Sequence, residues 1–146
     1  MKKFFVLPLL LACMFFVSSA FAGVNEKLLK AFKETFPQAA EVSWQELDES
    51  YVVNFMEGEV RTRITYDKEG NFTSSIRYYK EQNLPVNILC KLKKKYASEK
   101  IFGVTELTTD SHIEYYVKLE NDVNWISVKS DGEGNLEQVD KYKKIQ

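Results

Sequence analysis

His112 is the only histidine, and Cys13 and Cys90 are the only cysteines. A zinc or other transition-metal site draws several such ligands at defined spacing, and one of each falls short of it. No G-x-S-x-G elbow, phosphate-binding glycine loop or H-E-x-x-H pair is present. Glu46, Asp48 and Glu49 cluster, but at a predicted turn, where carboxylates stay solvated rather than paired for acid–base work. Asp67-Lys-Glu-Gly70 and Asp131-Gly-Glu-Gly134 have the flavour of calcium loops. They lack the alternating oxygen ligands and the distal bidentate glutamate of an EF-hand, so hairpin turns with a left-handed glycine explain them with less. No catalytic residue, metal or cofactor is expected.

The residues that could do something together are of another kind. All three arginines, Arg61, Arg63 and Arg77, fall in predicted strands, and every other basic residue bar the histidine is a lysine. If side chains alternate along each strand, these arginines share one sheet face with Val52, Asn54, Tyr79, Tyr116, Lys118 and Trp125. Tyr, Trp and Arg are the types concentrated at binding hot spots, and the guanidinium fork suits carboxylates. These nine residues are the candidate partner-binding surface. Ordinary cross-strand pairing on a solvated sheet is the competing account.

The elements that must present them recur in the chain. Val24, Leu28, Leu29, Phe32 and Phe36 form an apolar helical stripe after a candidate cap at Asn25, stopped by Pro37. Leu84, Ile88, Leu89, Leu92 and Tyr96 repeat it at an offset of 60. Strand patterns follow each helix, and the offset reads 62 at Val42/Val104 and 64 from Tyr51/Tyr115 onward. Tyr51–Phe72 and Tyr115–Leu136 align without a gap, turn for turn. In the fourth strand, Phe72, Ser74, Ile76 and Tyr78 alternate with Thr73, Ser75, Arg77 and Tyr79. The expected fold is α+β: two tandem units, about 23–82 and 83–146, each a helix followed by four antiparallel strands. Together they form one domain with a single curved sheet and both helices on one face.

Residues 1–22 stand apart. Lys2 and Lys3, the apolar run Phe4–Val17 and Ser18-Ser-Ala-Phe-Ala22 read as a cleaved leader, which places the mature chain in the periplasm or outside the cell. Leu10-Leu-Ala-Cys13 offers lipid anchoring as a lesser alternative. Without the leader, 18 basic side chains face 21 acidic ones. That balance argues against nucleic acid, and no span remains for membrane insertion. Cys90 is then alone, so packing rather than disulfides must hold the fold.

Ala31-Phe32-x3-Phe36-Pro37, Val42-x-Trp44, Tyr51-x-Val53-x-Phe55, Tyr66-Asp67-x2-Gly70 and, later, Leu84-Pro85 with Lys95-Tyr96 resemble the exported PepSY-like, or β-lactamase-inhibitor-like, family. The resemblance covers nearly all of the mature chain. It implies the same two-repeat curved sheet, an exported bacterial protein without enzymatic activity, and binding through the sheet surface and hairpin loops. The single cysteine departs from the disulfide-reliant inhibitor, and no inhibitory residue carries over. The expected function is a non-enzymatic module that binds a protein or peptide on the open sheet face, as an inhibitor or regulator. The alternative is a carrier of a small apolar ligand, held between helices and sheet.

Overall fold

The computed structural model describes residues 23–145. The leader pattern and Cys13 lie outside the described residues. Helix α1 (Glu26–Thr35) begins where the Asn25 side chain accepts a hydrogen bond from the Lys27 amide at 2.9 Å. That bond satisfies one of the amides a helix start leaves unpaired. It ends where Phe36 donates its amide to Phe32 at 2.8 Å, one residue before Pro37. Helix α2 (Val86–Lys95) follows Pro85, which stands at the cap itself, after a 3₁₀ turn over Glu81–Asn83 that periodicity does not show.

Eight strands make one open, curved sheet: β1 (Ala40–Glu46), β2 (Ser50–Glu57), β3 (Val60–Asp67), β4 (Phe72–Tyr79), β5 (Lys100–Thr109), β6 (Ile113–Glu120), β7 (Asn124–Asp131) and β8 (Leu136–Lys143). Each is antiparallel to its neighbour in sequence, so the chain meanders from edge β1 to edge β8. The class is α+β. The turns after β3 and β7 are built alike. Asp67 accepts the Asn71 amide at 2.8 Å and Asp131 the Asn135 amide at 2.9 Å, while Gly70 and Gly134 take φ of 89° and 82°. The Asn71 and Asn135 hydrogen bonds hold both carboxyls below the ordinary aspartate range. These carboxylates close turns rather than wait for a cation.

Paired residues project to the same side of a sheet. Trp44, Val53 and Ile64 are in register on one face, and Tyr79, Val104, Val117 and Val128 continue it. Phe32 of α1 is buried with Val53, Phe55 and Ile64, and Leu28 with Tyr51. Ile88 and Leu92 of α2 are buried with Tyr79, Val104, Val117, Leu119 and Val128. Both helices therefore cover this face, while the row through Arg61 and Tyr116 looks away from it.

One irregularity reassigns two predicted site residues. Thr65 pairs with Ser74 but Tyr66 with Phe72, so Thr73 is an extra residue in β4. A bulge of one residue flips every side chain beyond it. Arg77 and Tyr79, expected on the uncovered face, project toward the helices instead. Tyr79 is only 5% exposed. Val52 does lie on the uncovered face by register with Thr65, but at 1% exposure it cannot touch a partner.

Candidate functional site

Six of the nine predicted residues remain accessible on the uncovered face: Asn54, Arg61, Arg63, Tyr116, Lys118 and Trp125. Strand pairing lines part of this set into a transverse row. Met56, Arg61, Tyr78, Thr105, Tyr116 and Lys129 stand opposite one another on β2 to β7. With strands about 4.8 Å apart, Arg61 and Tyr116 are separated by roughly 14 Å. A groove of about 430 Å³ runs here, lined by Met56, Arg61, Tyr78, Thr105, Tyr116 and Lys118 among others.

Sequence alternation missed two aromatic residues in this region. Tyr78 is 45% exposed on the uncovered face, brought there by the bulge that removes Tyr79. Phe102 is 49% exposed at a second bulge, between Ile101 and Gly103, and its ring meets Trp125 edge-on with centroids 4.9 Å apart. An uneven Lys100–Val104 pattern was the available signal, but it does not say which residue is the extra one.

Cations surround the aromatic rings. Lys80 lies 4.7 Å from the centre of Phe102, and Lys144 4.6 Å from Trp125. Lys118 sits between Trp125 and Tyr142, 4.2 Å from the latter ring, and donates to Ser127 Oγ at 3.2 Å and to the Tyr142 hydroxyl. Toward β7 the charges are paired. Lys129 contacts Glu114 at 2.7 Å, and Lys144 contacts Glu120 at 2.7 Å. The Lys129 hydrogen bond, helped by one from Tyr116, pulls the Glu114 carboxyl below its ordinary range. Arg61 and Arg63 are exposed and meet no carboxylate within ion-pair distance among the described residues. Their cross-strand neighbours on β4 are Tyr78 and Ile76.

On the other face, Arg77 meets Glu106 at 3.1 Å and Tyr79 donates its hydroxyl to Glu106 at 2.5 Å. Burial, with this bond, raises the Tyr79 phenol well above its ordinary value. This trio is a structural network on the helix-covered face, with Tyr79 packed into the core under α2. His112 is exposed beside Thr109 and Ser111. Among the described residues, no three His, Cys, Asp or Glu side chains converge on a metal position.

No protein-family model matches the chain, and neither does any curated protein. Solved structures do. A BLIP-like protein from Bacteroides fragilis superposes with a TM-score of 0.60 at 17% identity, over 86% of this chain and 88% of that one. The fold is BLIP-like. A DUF2874 family protein from Bacteroides uniformis gives 0.56 at 15% identity, over 82% and 89%. Another from Bacteroides ovatus gives 0.57 at 15%, over 82% and 86%. At such identities the likeness is one of backbone architecture. The β-lactamase-inhibitor-like half of the sequence resemblance thus has its structural counterpart, while these structures do not confirm the PepSY-like naming.

Proposed function

We propose that this chain is a non-enzymatic, exported binding module that receives a protein or peptide on the uncovered face of its sheet. The observation that carries the reading is that Arg61 and Arg63, without a carboxylate partner among the described residues, share a face with exposed Tyr78, Phe102 and Tyr116 and half-buried Trp125. Desolvated aromatic anchors supply area, and arginines meet carboxylates on the partner. The BLIP-like fold is consistent with an inhibitor or regulator, and residues 1–22 with export to the periplasm or beyond. Among the described residues no helix is long and apolar enough to cross a membrane.

Two tandem repeats in one domain, 23–146, belong to the same reading, as does the PepSY-like affiliation. Strand register supports the duplication with an alignment simpler than the one drawn from sequence. Trp44 pairs with Val53 as Val104 pairs with Val117, and Glu46 with Tyr51 as Glu106 with Tyr115. The offset therefore stays at 60 through β5, and Val104 answers to Trp44 rather than to Val42. The four added residues all lengthen the β5–β6 hairpin, where Leu107 and Thr108 gain partners in Glu114 and Ile113.

The experiment is capture of a partner from the native envelope by wild type, Trp125→Ala and Arg63→Glu. Both variants lose the partner while their melting temperatures stay within a few degrees of wild type. Undiminished capture by both refutes this face as the site.

A second reading has its own observation. A groove of about 430 Å³ opens between α1 and β1, lined by Leu29, Phe32, Phe36, Val42 and Trp44. It is the place a small apolar ligand would occupy if the chain were a carrier, and native mass spectrometry would show that ligand retained.

A further inference from the structure

The groove beside α1 is the counterpart of a space that is filled in the other half of the molecule. Under α2, the buried cluster holds Ile88, Leu92, Tyr96, Val104 and Val117, which answer to Leu28, Phe32, Phe36, Trp44 and Val53. It also holds Tyr79 and Val60, which answer to nothing in the first half because they arrive on the strands preceding β5. Tyr79 pairs with Val104, and on the same strand Arg77 pairs with Glu106. β1 has no preceding strand among the described residues. Trp44 therefore faces an open edge, with the apolar groove beside it and Lys33 at its rim. Glu46, at the place of Glu106, has a side chain 42% exposed and, among the described residues, is held only by Lys68 at 2.8 Å.

We infer that the β1 edge and the α1 groove form a second docking site. It takes an extended segment of a partner protein that adds as a strand antiparallel to β1. The segment carries a basic–x–aromatic pattern, with the aromatic ring opposite Trp44 in the groove and the basic residue against Glu46. Main-chain hydrogen bonds to the free edge supply affinity, and the groove selects the side chain. The site rests on the two-repeat reading and is independent of the partner on the uncovered face. Charge argues against a second copy of this chain as the occupant. A copy would offer its own free edge, β8, where register places Lys141 and Lys143 at the positions of Arg77 and Tyr79. Lys141 suits Glu46, but Lys143 would bring a second ammonium to a groove already lined by Lys33, where like charges repel.

The chain itself supplies the probe, a synthetic peptide of residues 72–80 carrying Arg77 and Tyr79. Added to the intact protein, it slows amide exchange at Ala40–Glu46 and saturates with one site. The same peptide with Tyr79→Lys binds at least tenfold more weakly, and Val42→Lys in the protein loses the wild-type peptide. Should Val42→Lys unfold the protein, the two peptides on wild type still decide. Three outcomes overturn the inference: no protection of β1 by the wild-type peptide, equal binding of both peptides, or protection confined to β8. Self-association of the chain through β1, seen by sedimentation without peptide, also overturns it by giving the edge to a second copy.

Discussion

Among individual side chains, Glu106 has the most demanding position. It is buried, yet its charge is met by Arg77 at 3.1 Å and by the Tyr79 hydroxyl at 2.5 Å. Tyr79→Phe removes one of these partners while preserving the ring in the core. The expected loss is about 1.5–3 kcal/mol, the worth of a hydrogen bond to a charged group, read from the denaturant midpoint. The same residue sets an alkaline limit. Burial and the Glu106 bond raise the folded-state phenol above its ordinary value of 10.0. Its contribution is thus complete below about pH 10 and is lost as pH climbs beyond, because the unfolded chain releases the proton first. One such group steepens the decline by up to about 1.4 kcal/mol per pH unit. Tyr79→Phe makes the decline shallower without abolishing it, since burial also raises Tyr66 and Tyr115. A stability curve between pH 8 and 11 that is identical in wild type and variant contradicts this. Nothing local in Arg77-Tyr-Tyr79 announces the network, because its acceptor lies 27 residues away from Tyr79.

For the helices, local sequence and structure agree closely. Asn25 caps α1, and the stripe from Leu28 to Phe32 is buried against the sheet. A ten-residue helix has little stability of its own, so the cap and the sheet contact must both contribute. Asn25→Ala is expected to cost about 1 kcal/mol, with a matching small fall in melting temperature and no change in the α2 region. Circular dichroism melts of wild type and variant check it, and superimposable curves count against the cap. Strands are legible as strands but not as faces. Alternation correctly groups Tyr51, Val53 and Phe55, because β2 pairs with β3 without interruption. It fails beyond Thr73 and around Phe102, since a bulge leaves the composition of a strand unchanged while inverting the side chains beyond it. The same cause accounts for Tyr78 and Phe102 going unseen and for Arg77 and Tyr79 being placed on the wrong side.

Across the whole molecule, the two helices sit over unequal cores. Among the described residues, twelve buried side chains form one cluster under α2 that joins β3 through β7, whereas under α1 seven are buried, bridged by half-buried Trp44 and Tyr66 beside an open groove. Opening should therefore be easier at the β1 side. Native-state hydrogen exchange is expected to show β1 and α1 opening at lower free energy than β5–β7, and uniform protection across the sheet would contradict it. The edges differ too. β8 carries Glu137, Asp140, Lys141 and Lys143, charges that discourage pairing with another chain, while β1 presents Val42 and Trp44 beside an apolar groove. The sequence by itself determined the two helices and eight strands, their order and which residues within an uninterrupted stretch share a side, because these arise from local periodicity and turn chemistry. Tertiary structure alone decided which side each stretch shows beyond a bulge, which charges find partners, and which edge borders an apolar groove. Those depend on pairing between distant strands, and a slip of one residue there changes the surface while leaving the local pattern intact.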